Sequence, residues 1–382
     1  MPISRPRAKQ RAALGSTDSA GAAVLTVNLA AIAANYRSLR QRVGERVTLS
    51  AVVKANAYGL GVAQVAPALA KAGCSLFFVA TLDEGLALRQ TLRGSRIAVL
   101  EGLLPGSAPA FTRAKLIPVL NQLSQLVAWR KAARGGKTPP AILHLDTGMS
   151  RLGLSQRDLA KLVADRDLLH GVELAAIMSH LACADEPAHP KNPAQLAALH
   201  AALALLPPAP ASLASSSGIF LGPDYHLDIA RPGAALYGIN PILGKSNPMK
   251  SVVSLQAKIL QVRDVDTGET VGYGATHRMN RPSRVATIGV GYADGWLRSA
   301  SDRGSAGIAG KRVPVVGRIS MDLMTLDVTG INPRLARPGA TVDLLDENYG
   351  IDDAADAAKT IGYELMTLLG RRYRRRYRGG TR

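Results

Sequence analysis

From about residue 49 to about residue 230 the chain alternates short, apolar, β-branched runs with stretches of helical periodicity, a rhythm that few folds accommodate. Strands are expected at 49–53 and near 75–80, 96–100, 116–120, 141–145, 172–179, 211–214 and 226–230. Helices are expected near 62–72, 83–92, 122–132, 156–164 and 194–205. A short strand at 23–27 comes first, and Asn28 is placed to cap a helix with Leu29, Ile32, Tyr36 and Leu39 on one face. Such alternation builds βαβ units and a parallel sheet. About eight units in roughly 230 residues is the size of a (β/α)8 barrel. A doubly wound open sheet alternates in a similar way, but no Gly-x-Gly-x-x-Gly opens the first unit, which counts against its dinucleotide-binding version.

Polar residues help to separate the two. Lys54, Arg151, His180, Ser216 and Arg231 all fall at or just beyond the C-terminal end of an expected strand. In a barrel those ends share one face, the face where barrel chemistry happens. The expected fold is therefore α/β, a TIM-like (β/α)8 barrel over residues 21–250. From Ser251 the texture changes to strand runs at 252–265, 284–291, 313–319, 324–328 and 341–345, joined by Gly, Asp and Pro turns. Helical pattern is nearly absent until 354–369, so residues 251–382 read as a mainly β domain.

The net charge is +19, and much of it sits at the two ends. Residues 1–20 read as a disordered basic tail. The C-terminal Arg-Arg-Tyr-Arg-Arg-Arg-Tyr has the phosphate-contacting and stacking groups of a nucleic-acid binder, but no nucleic-acid fold signature accompanies it. It reads instead as a solvated, Arg-rich terminus, with no nucleic-acid partner. No apolar run approaches the roughly 18 residues of a membrane span, and no secretory signal is apparent. Cys74 and Cys183 have neither metal-ligand spacing nor the look of a disulfide framework, which suits a reducing cytoplasm; no metal is expected.

Lys54 ends an apolar strand, where burial of an ammonium is costly and its pKa is pushed down toward that of a nucleophile or base. A lysine in such a place is also commonly a side chain that has simply reached solvent. The surrounding string Ala51-Val-Val-Lys-Ala-Asn-Ala-Tyr-Gly-Leu-Gly61 closely resembles the signature of the alanine racemases, in which this lysine carries pyridoxal 5'-phosphate (PLP) as a Schiff base. Further family-like motifs follow in the family order: Asp146-Thr-Gly-Met-Ser-Arg-Leu-Gly153, Met178-Ser-His-Leu-Ala-Cys-Ala-Asp-Glu186, Leu227-Asp-Ile-Ala-Arg-Pro-Gly-Ala-Ala-Leu-Tyr-Gly238, Val271-Gly-Tyr-Gly-Ala-Thr276 and Gly317-Arg-Ile-Ser-Met-Asp322. The resemblance runs from about residue 22 to about residue 373.

The resemblance implies a set of roles. Lys54 and Tyr273 are the two acid–base groups, on opposite faces of the substrate Cα, with Tyr273 contributed across a homodimer interface. Tyr58 and Ser216, with backbone N–H groups at Gly233 and Ala234, hold the cofactor phosphate. Arg231 meets the pyridine nitrogen, and His180 stacks near the ring. Arg151 holds the substrate carboxylate, Met321 and Asp322 complete the substrate site from the partner subunit, and Tyr292 of Gly291-Tyr-Ala-Asp-Gly295 stands at the entrance. The implied reaction is interconversion of L- and D-alanine, supplying D-alanine for peptidoglycan, with a broad-specificity amino-acid racemase as the nearest alternative. A barrel that only carries PLP is a more distant one.

Two departures stand out. Many family members have a carbamylated lysine two residues before Asp-Thr-Gly; here that residue is His144, and a bound anion is one way to replace the missing charge. Many also carry an entrance tyrosine near the C-terminal Arg-rich motif. The string Tyr363-Glu-Leu-Met-Thr-Leu-Leu-Gly-Arg-Arg-Tyr373 places Arg371 in that position, with Tyr373 close by.

Overall fold

The computed structural model describes residues 23–134 and 138–380; the expected basic tail at 1–20 lies outside them. Asn28 caps its helix as expected, its side chain accepting the Ala31 N–H at 3.0 Å. The helix Leu29–Val43 buries Leu29, Ile32, Tyr36 and Leu39 on one face. The Tyr36 hydroxyl donates to the Leu49 carbonyl at 2.9 Å and pins the helix to the first barrel strand.

Seven parallel strands pair in chain order: Ala51–Val52, Leu76–Val79, Arg96–Val99, Ile117–Leu120, Ala141–His144, Leu174–Met178 and Ala211–Ser212. Five of them, all but Arg96–Val99 and Leu174–Met178, are buried at every residue, as strands covered on both faces must be. The eighth, Ile229–Ala230, pairs in parallel with Thr48–Leu49, one residue before Ala51–Val52. On its other side Asp228 N–H donates to Ala211 O at 3.0 Å and Arg231 N–H to Ala214 O at 2.8 Å. Those bonds close the barrel, so the open-sheet alternative falls.

The second unit is built on one long strand, Val253–Val265, whose register shifts at Leu255/Gln256 and at Ile259/Gln261. Its first half pairs with Thr341–Leu345 and its second half with Ser283–Ile288, so a single strand turns the sheet through these irregularities. Ala23–Asn28 also belongs here. It pairs antiparallel with Val253–Val265 and parallel with Arg374–Arg378. This corrects the expected start of the barrel at residue 21, because a short apolar strand carries no mark of which sheet will take it.

Three further expectations change. The run 313–319 is a strand only over Lys311–Pro314, and the chain turns at Gly317 (φ +75°). The helical run at 354–369 is two helices, Ile351–Ala357 and Gly362–Leu368, separated by a reversal at Lys359 (φ +57°). The Arg-rich terminus is not simply solvated, since Arg374–Arg378 is a strand of the second sheet. Among the described residues no helix is long and apolar enough to cross a membrane.

Candidate active site

The barrel strand 51–52 ends two residues before Lys54, and the chain then makes one turn of left-handed helix. Ala55, Asn56, Ala57 and Tyr58 all have φ between 53° and 56°, and the turn is closed by Ala57 N–H to Val53 O (2.9 Å) and Gly59 N–H to Ala55 O (2.7 Å). Each L-residue in that region costs about 1–2 kcal/mol, so the turn exists only because its surroundings impose it. Glu84 holds its start: one carboxylate oxygen accepts from Ala55 N–H (2.6 Å) and the other from Ala80 N–H (2.8 Å). Asn56 Oδ1 accepts from Val62 N–H at 2.9 Å, at the head of the helix Val62–Lys71. Burial, and then the nearby Arg151 guanidinium, lower the Lys54 pKa, with Glu84 acting in the opposite sense.

The floor is a buried guanidinium. Arg231 donates to Ser212 Oγ, to Ser179 O (2.7 Å) and to Leu213 O (3.4 Å), and its Nη2 lies 3.3 Å from His180 Nδ1. Burial lowers the Arg231 pKa to about 10, which leaves it protonated at neutral pH. Arginine has only donors, so His180 Nδ1 is an acceptor and its ring is neutral. Burial, then Arg231, Arg151, His144 and Lys54, drive the His180 pKa down to about 3.

Beside this floor Ser216 Oγ accepts from Gly233 N–H (3.0 Å) and Ala235 N–H (3.1 Å). The Tyr58 ring stacks on Tyr237 with centroids 4.6 Å apart, and its hydroxyl lies so close to Gly233 that a Cβ there would overlap it. Serine hydroxyl, backbone N–H groups and a phenol thus crowd one end of the site, an arrangement suited to an anion.

His144 lies in the wall, with Nδ1 2.7 Å from Asn121 Oδ1. The Asn121 amide donates to Leu100 O (2.9 Å) and Val119 O (3.1 Å), so its oxygen is the acceptor and His144 carries its proton on Nδ1. Burial, followed by Arg231, lowers the His144 pKa to about 4. At the position of the family's carbamylated lysine this chain therefore holds a neutral ring. Arg151 follows a tight loop in which Asp146 Oδ1 accepts from the N–H groups of Gly148, Met149 and Ser150 at 2.8–3.1 Å.

All the barrel residues expected at the site line one cavity of about 700 Å³: Lys54, Tyr58, Arg151, His180, Ser216, Arg231, Gly233 and Ala234, together with His144. Tyr363 and Thr367 of the helix Gly362–Leu368 line it too. This corrects the entrance assignment. Tyr363, with its ring centroid 6.3 Å from that of Tyr58, lines the cavity; Arg371 does not, and Tyr373 is buried elsewhere. The string containing Tyr363 was visible in the sequence, but only the fold shows that its first residue faces the cavity.

The residues expected from the second unit do not line this cavity. Tyr273 is 70% exposed, at the tip of the hairpin Thr270–Val271/His277–Arg278, which sits on a small cluster of Val265, Val271, Met279, Val285 and Val316. Tyr292 and Met321 are also exposed, on loops joined by Tyr292 N–H to Ser320 O (3.0 Å) and Ala293 N–H to Met321 O (2.9 Å). Arg372, which the sequence reading left unassigned, ties these loops together through Asp294 (3.1 Å) and Asp322 (2.7 Å). Among the described residues no group of His, Cys, Asp or Glu is placed to hold a metal ion.

Comparison with known proteins gives a consistent picture. Residues 27–241 match the family model "Alanine racemase, N-terminal domain" and residues 252–377 match "Alanine racemase, C-terminal domain". The chain is 52% identical to an alanine racemase of Rhodospirillum rubrum, covering 97% of this chain and 99% of that protein. It is 50% identical to a catabolic alanine racemase of Mesorhizobium japonicum, covering 95% of each. Among solved structures, alanine racemase from Bartonella henselae with covalently bound pyridoxal phosphate superposes with a TM-score of 0.90 at 41% identity, over 94% of this chain and 99% of that one. Both halves of the chain, and nearly its whole length, place it in the alanine racemase family.

Proposed function

We propose that this chain is a PLP-dependent alanine racemase that interconverts L- and D-alanine with two acid–base groups, Lys54 and Tyr273. The observation that carries the reading is the convergence in one cavity of Lys54, whose pKa is depressed, with Ser216 and the buried Arg231. These residues fit the cofactor. The Ser216 hydroxyl, Tyr58 and the backbone around Gly233 and Ala234 would hold the phosphate, at a place where the missing Cβ of Gly233 admits the Tyr58 hydroxyl. Arg231 would meet the ring nitrogen, and His180 would support the ring. When bound, PLP supplies the electron-withdrawing carbonyl chemistry that makes the substrate Cα–H acidic.

The chain's own residues do the rest. Arg231 donates hydrogen bonds and keeps its proton, so it orients the ring nitrogen without protonating it. Arg151 takes the substrate carboxylate. Lys54, whose pKa is lowered by burial, takes or returns the Cα proton on one face. Tyr273 of the partner subunit serves the other face in a head-to-tail homodimer, joined there by Met321 of the partner subunit, Asp322 of the partner subunit and Tyr292 of the partner subunit. This accounts for the exposure of these residues in the single chain. We read the enzyme as cytoplasmic, with both cysteines free, and as a source of D-alanine for peptidoglycan.

The test is turnover of L-alanine to D-alanine by the PLP-loaded protein, with Tyr273→Phe beside it. Racemisation that falls about a thousandfold or more in the variant, with an unchanged melting temperature, supports the reading. Equal activity in both sinks the assignment of Tyr273, and no turnover of alanine alongside turnover of other amino acids moves the reading to the broad-specificity racemase. Restored growth of a D-alanine auxotroph expressing this chain checks the biosynthetic role.

A further inference from the structure

The Arg-rich C-terminal strand takes no part in the chemistry above, yet it reaches the Lys54 turn. Arg375 and Tyr377 share one face of Arg374–Arg378, and their register is set by pairing with Leu25 and Val27. Arg375 donates to the Gly59 carbonyl and, through its other terminal nitrogen, to Leu369 O (3.0 Å) and Gly370 O (3.3 Å). The Tyr377 hydroxyl donates to Leu60 O at 3.0 Å. The two motif glycines are shaped by the same packing. Gly59 (φ +83°) would put a Cβ 2.7 Å from Met366 O, and a Cβ on Gly61 (φ +102°) would overlap the Tyr377 hydroxyl.

We propose that Arg375 and Tyr377 are positioning residues that clamp the far end of the left-handed turn and so fix where Lys54 stands. Glu84 holds only the start of that turn, at the Ala55 N–H. Four successive residues in a disfavoured backbone region relax toward ordinary conformations unless the end is held as well. Arg375 supplies that hold with one guanidinium spanning three carbonyls. Because Leu369 and Gly370 follow the helix that carries Tyr363, the same side chain fixes the Lys54 turn relative to the cavity wall. The consequence for catalysis rests on the reading that Lys54 carries the reacting amine.

The test uses the full-length, PLP-loaded chain and compares wild type with Arg375→Met and Tyr377→Phe by amide hydrogen exchange of peptides covering residues 54–62, alongside kcat and KM. The clamp predicts exchange across 55–62 about tenfold faster in Arg375→Met and several-fold faster in Tyr377→Phe, with wild-type rates in the barrel strands Leu76–Val79 and Ile117–Leu120. It also predicts a kcat lower by about tenfold or more in Arg375→Met with KM little changed. Unchanged exchange at 55–62 in both variants overturns it, and so does an equal rise throughout the barrel, which marks a purely structural role. If Arg375→Met does not fold, Tyr377→Phe, which loses a single hydroxyl, decides by the same criterion. A wild-type protein without racemase turnover refutes the reading of Lys54, while the exchange data still decide the clamp.

Discussion

Replacing His144 by Asn should make the protein more resistant to acid. His144 is 8% exposed, and burial followed by the Arg231 charge holds its pKa at about 4, against 6.5 for an unperturbed ring. Between those values the unfolded chain takes up a proton that the native state refuses. Stability contributed by the neutral ring is therefore complete above about pH 6.5 and is lost as the pH falls through 4. Integrated from pH 7.5 to pH 4.5, the loss is about 2.5 kcal/mol. Asn at 144 keeps an amide donor for Asn121 Oδ1 and has no proton to gain. It also leaves a cavity that costs about 1–2 kcal/mol at either pH, so the difference between the two pH values is the quantity to read. His180, depressed to about 3 mainly by burial and Arg231, stays neutral in the native state across this window in both proteins. Urea unfolding at the two pH values should show wild type losing about 2.5 kcal/mol more than His144→Asn. Equal losses would refute the argument that a neutral, buried ring replaces a charged group at this position.

Lys54→Met should stabilise the cofactor-free protein at neutral pH. The Lys54 pKa is lowered on folding, so the unfolded chain binds more protons between the native value and 10.5, and wild-type stability rises with pH through that window. The advantage of the Met variant in chemical denaturation should shrink as the pH approaches 10.5; an advantage independent of pH would show that packing, not charge burial, is responsible. Gly59→Ala should cost at least about 2 kcal/mol in the same assay, since alanine is disfavoured at φ +83° and its Cβ would press on Met366 O. A loss below about 0.5 kcal/mol would mean that the turn and the helix Gly362–Leu368 yield easily.

Much of this molecule is legible in its sequence because the signals are local. The barrel strands announce themselves as apolar runs fully covered by helices, and Asn28 marks its helix start through a bond to a residue three positions on. Lys54, Arg151, His180, Ser216 and Arg231 are recognisable because strand ends in a barrel share a face, and the cavity gathers all five. What the sequence could not decide depends on pairing between distant segments. Ala23–Asn28 joins the second sheet although it precedes the barrel, Tyr363 rather than Arg371 faces the cavity, and the terminal arginines form a strand 316 residues away in sequence from the carbonyl that Arg375 holds. The left-handed turn after Lys54 is the sharpest case. Ala and Tyr have no local preference for it, and the contacts that hold it, from Glu84 at its start, Tyr237 on the Tyr58 ring, and Arg375 and Tyr377 at its end, are brought in by the tertiary fold.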